Sequence, residues 1–372
     1  ETTPNVPPKG TVPFGRSNPS LSTRTEQEST MGHANISRRS FTAGLAGAGA
    51  LALGTLGIAG CSNEGGTGSA GSGTADKTYK IGILQLTQHS ALDAANEGFI
   101  AALDDSGIAY EPDQQNASND QNACQTIAQT FANDGCDLIL AIATPAAQAA
   151  VAATGDIPII GTAITDFAAS GLVDSNDAPG GNLTGTSDMN PVADQIALLE
   201  ELVPEAAHVG LLFCTAESNS EIQIAMAEEE LDAAGIEHER FTVSSSNEIQ
   251  SVVETMVGQV DAIYTPTDNT IAAAMTQVSD IANEAGVPTI CGEVGMVEAG
   301  GLASVSINYY ELGYRAGEMA VEILTEGANP AEMPIETMSA DDCDLVYNQA
   351  TADEIGVDVS MLADEGGEDV SA

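Results

Sequence analysis

The sequence predicts an α/β protein of two similar lobes, each built on a parallel sheet, and three observations carry that prediction. Short apolar runs alternate with longer amphipathic stretches through most of the chain, the pattern of strands joined by crossover helices. The plan then occurs twice: "HVGLLFC" matches "YKIGILQ", "ELDAAGIEHERF" matches "ALDDSGIAYEPD", "VDAIYTPTDN" matches "CDLILAIATPA", and "AGVPTICG" matches "GDIPIIGT". The spacing repeats as well, since Gly82 to Gly107 and Gly210 to Gly235 each span 25 positions.

Ahead of the lobes the first sixty residues read as an address. Residues 1–30 are rich in Pro, Ser and Thr and are expected to be a disordered leader or a mis-assigned start, with Met31 the expected beginning. Residues 31–60 resemble a twin-arginine export signal: Arg38 and Arg39 stand before Phe41, and an uncharged stretch of Ala, Gly and Leu follows. The stretch ends in "IAGC", which resembles a lipobox, so Cys61 is the expected lipidated first residue of the mature protein. The Gly- and Ser-rich residues 61–77 are a flexible tether.

The body starts near Thr78. "YKIGILQL" reads as a buried strand, and "ALDAANEGFIAALDDSG" as a helix stopped by Gly107. "CDLILAIAT" is the next strand, "PAAQAAVAAT" a helix with Pro145 in its first turn, and "IPIIGTAIT" a further strand. The segment "DAPGGNLTGTSDMNPVADQ" suits a crossing between lobes, and a second crossing is expected near "ASVSINYYELG", before the amphipathic helix "LGYRAGEMAVEILTEG". One lobe should therefore hold residues 78–188 with 307–330 and the other 189–306 with 331–360, leaving 361–372 as an acidic tail. Parallel sheets bind ligands beyond the carboxyl ends of their strands, so two facing lobes imply a cleft that closes by a hinge.

Charge narrows the partners. The chain has 9 Lys and Arg against 55 Asp and Glu, and after Cys61 only Lys77, Lys80, Arg240 and Arg315 are basic. Nucleic acid is excluded as a partner, because phosphate contacts need clustered cations. The acid excess reads as a solvated, self-repelling surface. Six cysteines show no C-x-x-C and no His at ligand spacing, so no metal is expected; most read as small buried thiols, with Cys124–Cys136 the pair available for a disulfide in an oxidising compartment.

An enzyme would need a nucleophile, an acid or a base. His89, His208 and His238 sit in no catalytic setting, there is no P-loop, and "PGGNLTG" does not open a helix after a strand, so neither an enzyme nor a cofactor is expected. Binding needs only donors, a countercharge and an apolar wall. "QLTQHSALD", "IATPAAQ", "AITDF", "GTSDMN", "FCTAESNSE" and "TPTDNTIA" each bring Ser, Thr, Asn or Asp to a strand end where a helix begins, a place that suits either a helix cap or a ligand carboxylate.

From "YKIGILQL" to "EIGVD" the chain resembles the substrate-binding lipoproteins of ABC transporters related to the tryptophan-binding protein. "HSALD", "IATPAAQ", "AITD", "PGGNLTGTSD" followed by "NP", "SSNEI", "DNTIA" and "GGLASV" carry the resemblance, and Phe167 stands after "AITD" where proline is usual. The resemblance implies Rossmann-like lobes joined by a multi-strand hinge, the type I periplasmic-binding-protein fold. It implies a lipid-anchored monomer outside the cell membrane that passes an amino acid, aromatic and tryptophan-like, to a permease. Ser90, Thr144, Ala146, Ala147 and Asn269 are then the expected carboxylate donors, and Asp188, Asp268 and Asp166 the ammonium partners. Phe167, Phe213 and Tyr264 are the rings for stacking, the last two equally readable as core. Leu92, Thr165, Ser187, Ser218 and Asn219 complete the expected site. Two alternatives stay open: a receptor for a sugar or purine, and a membrane-tethered hydrolase or sensory module.

Overall fold

The computed structural model describes residues 77–338 and 343–371, so the leader, the signal with Arg38 and Arg39, Cys61 and nearly all of the tether lie outside the described residues. The first lobe opens with β1 (Tyr79–Gln85), α1 (Ser90–Ser106), β2 (Tyr110–Asn116), α2 (Gln121–Asp134), β3 (Leu138–Ile142), α3 (Thr144–Ala153), β4 (Ile159–Ile164) and β5 (Leu183–Ser187). The chain then crosses and builds α4 (Val192–Leu202), β6 (His208–Cys214), α5 (Ser218–Ala234), β7 (Glu237–Val243), α6 (Ile249–Met256), β8 (Ala262–Thr265), α7 (Asn269–Ala272), α8 (Met275–Glu284), β9 (Thr289–Cys291), α9 (Val294–Glu298) and β10 (Ala303–Ser306). It returns to the first lobe for α10 (Tyr309–Val321) and β11 (Glu336–Thr337). β12 (Asp344–Tyr347), α11 (Gln349–Ile355), α12 (Ser360–Asp364) and β13 (Glu368–Asp369) finish the second lobe.

The sheets run β11-β5-β4-β3-β1-β2 and β13-β12-β10-β9-β8-β6-β7, so the first five strands of each lobe share one order. The first sheet is parallel throughout, whereas β12 runs antiparallel to β10 in the second. The repeated glycines explain their own spacing. A Cβ on Gly82 would strike the Phe131 ring of α2, and one on Gly210 would strike Met256 of α6, so each glycine admits a helix side chain against the sheet. Gly107 and Gly235 end α1 and α5 in the left-handed region, at φ 72° and 76°.

Three crossings join the lobes, after β5, β10 and β11, which makes the hinge multi-stranded. The first two are stitched together, since Asn190 Oδ1 accepts from the Ile307 amide at 3.0 Å. α10 seats on α1 through glycines: a Cβ on Gly313 would meet the Ala95 carbonyl, and one on Gly98 the Tyr310 carbonyl. Arg315 of α10 then forks onto both carboxylate oxygens of Glu336 in β11, at 2.6 and 2.7 Å.

Three expectations need correction. β11 pairs with β5, so residues 331–337 belong to the first lobe and the third crossing comes later in the chain than residue 330. The presumed acidic tail is structured, because α12 and β13 fold onto β12 in the second lobe. Cys124 and Cys136 form no disulfide; both are buried thiols in the first-lobe core, where burial lifts their pKa.

Candidate functional site

Strand ends from both lobes converge on one small pocket. From the first lobe, the β1–α1 connection supplies His89, the first turn of α1 supplies Leu92, the end of β4 supplies Ala163 and Thr165, and the end of β5 supplies Asp188. The second lobe answers with Asn219 at the start of α5, Thr267, Asp268, Asn269 and Ala272 after β8, and Glu293 after β9. Tyr309, on the second crossing, closes the hinge side. β4 shifts register between Gly161 and Ile164, and Ala163 takes φ 54° there; such bulges re-aim side chains at the rims of sheets.

Hydrogen bonding sorts these groups into donors and acceptors. Gln223 Nε2 donates to the hydroxyls of both Thr165, at 3.1 Å, and Thr267, while its Oε1 accepts from the Thr267 amide. With an oxygen lone pair of each threonine thus engaged, each hydroxyl proton points elsewhere: that of Thr267 is left for the cavity, and that of Thr165 is shared between the cavity and Asp188. That pair suits a carboxylate.

The two aspartates differ sharply. Asp268 is fully buried and spends both oxygens on the protein, accepting from Cys214 N at 2.6 Å, Ser220 Oγ at 2.7 Å and Ile271 N at 2.9 Å. Burial, and then the Glu217 carboxylate beside it, hold its pKa well above the usual range. Asp188 accepts from Tyr309 Oη at 3.1 Å on Oδ2 and lies beside the Thr165 hydroxyl, while Oδ1 has no hydrogen-bond partner. Burial lifts its pKa to about 6 against the opposing pull of the Tyr309 and Thr165 hydroxyls. An unpaired buried carboxylate oxygen in a cavity wall is a site for a cation. Glu293, also buried, accepts from Gly295 N at 2.6 Å, and burial lifts it to about 7.

Glu217 organises the opposite end. One oxygen accepts from Thr270 N and Oγ1, the other from Asn269 N and Nδ2. These contacts aim Asn269 and Thr270 across the cleft, where Asn269 Oδ1 meets His89 Nε2 at 3.2 Å and Thr270 Oγ1 accepts from Asn119 Nδ2 at 2.9 Å. Gln121 to the Ala216 carbonyl and Gln148 to Ser218 also bridge the lobes.

A family model described as ABC transporter substrate binding protein matches residues 80–364. The chain belongs to this family. A tyrosine-binding protein of Clostridioides difficile is 42% identical over 306 residues, 80% of this chain and 88% of that one. Among solved structures, an ABC domain in complex with L-Trp from Streptococcus pneumonia is 38% identical, with a TM-score of 0.74 over 77% of this chain and 98% of that one. A ligand-free, open substrate-binding protein with adhesive properties from Clostridium difficile is 42% identical, with a TM-score of 0.59 over 76% and 96%. The likeness in shape is greater to the ligand complex than to the more identical open form, in agreement with the bridges between the lobes: this substrate-binding protein stands closed, in the type I periplasmic-binding-protein fold. The family is extracytoplasmic, and among the described residues no helix is long and apolar enough to cross a membrane.

Of the residues expected at the substrate-binding site, Leu92, Thr165, Asp188, Asn219, Asp268 and Asn269 do line the cavity. The other positions serve elsewhere. Ser90 abuts Gly295 of α9, and Thr144, Ala146 and Ala147 are buried in the first turn of α3. Asp166 holds the turn that follows β4 through Ala169 N and Asn176 Nδ2, and Ser187 bonds the Thr165 carbonyl. Ser218 is exposed. Phe167 packs in the first-lobe core beside Gly161, Phe213 in the second-lobe core, and Tyr264 there with its hydroxyl on Gln195 Oε1 at 2.9 Å.

His89, Ala163, Thr267, Ala272, Glu293 and Tyr309 complete the wall without having been expected there. Thr267 stands inside the strand-end segment "TPTDNTIA", and Tyr309 at the predicted second crossing, so both carried a positional signal.

Proposed function

We propose that the cavity of this ABC transporter substrate-binding protein closes on an aromatic α-amino acid. Asp188, backed by Tyr309, holds the ammonium, the Thr165 and Thr267 hydroxyls hold the carboxylate, and Leu92, Ala163 and Ala272 enclose the side chain. The unpartnered Asp188 Oδ1, buried at the hinge, carries this reading, and the tyrosine- and tryptophan-binding relatives support it. No covalent chemistry is involved; contacts from both lobes select the closed state, which delivers the ligand to a permease. Asp166, Ser187 and the aromatic core residues take no part in binding.

Calorimetric titration of the protein with the twenty amino acids, a sugar panel and purines tests this. Heat with tyrosine, tryptophan or phenylalanine is expected, and heat only with sugars or purines would sink the reading. The "IAGC" segment supports a second element, a monomer anchored by lipid on Cys61 after export through the twin-arginine route. Membrane fractionation checks the anchor: Cys61→Ala should release the protein from the membrane, and retention there counts against lipidation.

A further inference from the structure

We propose that His89 Nδ1 and Asn219 Oδ1, held as acceptors by the Glu217 carboxylate, read an uncharged hydrogen-bond donor on the ligand side chain, a phenol O–H or an indole N–H. The inference rests on the aromatic amino acid reading and names what discriminates within that class.

The orientation follows from hydrogen-bond direction. A carboxylate only accepts, so the Asn269 group 2.6 Å from Glu217 Oε2 is the amide nitrogen. Asn269 Oδ1 therefore faces His89, and the nitrogen it meets, Nε2, carries the proton. Burial lowers the His89 pKa, so the ring is neutral and Nδ1 is left with a lone pair. That atom is buried and has no hydrogen-bond partner in the protein, although His89 lines the cavity.

Asn219 reaches the same state by the same route. Its Nδ2 donates to Glu217 Oε2 at 3.4 Å, Ser220 Oγ at 3.4 Å and the Thr267 carbonyl at 3.1 Å. Its Oδ1 is buried and unpartnered, and Asn219 lines the cavity. The two acceptors are neutral and both answer to Glu217. The hinge side differs in what it leaves open: Asp188 Oδ1 is unpaired there, with Glu293 across Tyr309, whereas both oxygens of Glu217 and of Asp268 are taken up by the protein. An ammonium is drawn to that open carboxylate oxygen, which leaves the neutral acceptors for the far end of the ligand. Each buried acceptor left unpaired carries a desolvation cost, so a site built this way rejects a side chain without a donor.

The test is a calorimetric comparison of L-tyrosine, L-tryptophan and L-phenylalanine on the full protein. Wild type should bind tyrosine or tryptophan roughly tenfold or more tightly than phenylalanine, the factor one buried hydrogen bond supplies. His89→Leu should bring that ratio towards one, and Asn219→Leu should do the same, so the test survives if either variant fails to fold. Glu217→Gln, whose amide lets Asn269 turn over, should move the ratio in the same direction. The ratio is the decisive readout, because loss of the contact between the lobes weakens all ligands alike. A wild type that does not discriminate, or variants that weaken all three ligands by one factor, would overturn the assignment. No heat with any of the three overturns the aromatic reading beneath it.

Discussion

The two lobes share one strand order but meet the cavity in different conditions. Among the described residues every non-glycine position with positive φ (Ser118, Asn119, Ala143 and Ala163) lies in the first lobe. The first lobe also leaves His89 Nδ1, Thr144 Oγ1 and Asp188 Oδ1 without partners. The second lobe instead commits its buried acids, with Glu217 accepting four hydrogen bonds from Asn269 and Thr270, and Asp268 three. Unpartnered polar atoms occur in both lobes, Asn219 Oδ1 among those of the second, but the positive-φ strain and the unpaired carboxylate that a ligand can relieve belong to the first.

Replacing the two aspartates separates these conditions most strongly. Asp188→Ala should cost a hundredfold or more in amino-acid affinity, about 3 kcal/mol, as expected when one partner of a buried charge pair is removed. It should leave thermal stability unchanged or raised, since the ligand-free protein loses an uncompensated carboxylate. Asp268→Ala should do the reverse, costing about 2–3 kcal/mol of stability by stranding the Cys214 and Ile271 amides and the Ser220 hydroxyl. Paired titration and melting experiments decide this; equal losses of stability in both variants would erase the contrast.

That contrast also marks where the sequence stops being legible. The repeat of strand and helix patterns was readable because burial imposes periodicity, and Gly82 and Gly210 kept their spacing because a helix side chain occupies the same space in each lobe. Strand ends located the cavity to within a turn of helix. What no pattern encodes is how a polar side chain is spent. Asp188 and Asp268 look alike in "TSDMN" and "PTDNT", yet one is free because it sits at a crossing and the other is consumed by its own lobe. Phe167, Phe213 and Tyr264 failed as ligand rings for a similar reason: large apolar groups at strand ends are claimed by the core first. Nothing local in the chain marks His89 as a binding residue, because its partner Asn269 lies 180 positions away.

Acidity offers a smaller test of the same asymmetry. Asp188 and Glu293 have folded pKa values of about 6 and about 7, and burial raises Asp268 further still, so from roughly pH 4 to past pH 7 the folded protein binds protons that the unfolded chain does not. Stability of the ligand-free protein should therefore fall as pH rises through that window. Ligand affinity should move oppositely, because an ammonium needs Asp188 ionised; below pH 6 it should drop by up to about tenfold per unit. Asp188→Asn should remove the fall in affinity while keeping the Glu293 part of the stability trend. A ligand affinity flat from pH 7.5 to 5 would show that Asp188 does not face the ammonium.

The smallest expected effect concerns backbone strain in the first lobe alone. Ala143 sits at φ 83°, ψ 153°, between β3 and α3, a conformation that costs an L-residue about 1 kcal/mol or more and glycine almost nothing. Its side chain is fully buried, so Ala143→Gly also forfeits about one methyl group of burial, close to 0.8 kcal/mol. The two terms nearly cancel if the strain is at its low end, and the variant gains up to about 2 kcal/mol if it is at the high end of 1–3 kcal/mol. Chemical denaturation of Ala143→Gly beside Ala262→Gly, a buried alanine in β8 of the second lobe, measures the difference. The second-lobe variant loses burial with no strain to release and should be destabilised by about 1 kcal/mol or more. Equal destabilisation at both positions would show that the first lobe stores no strain at Ala143.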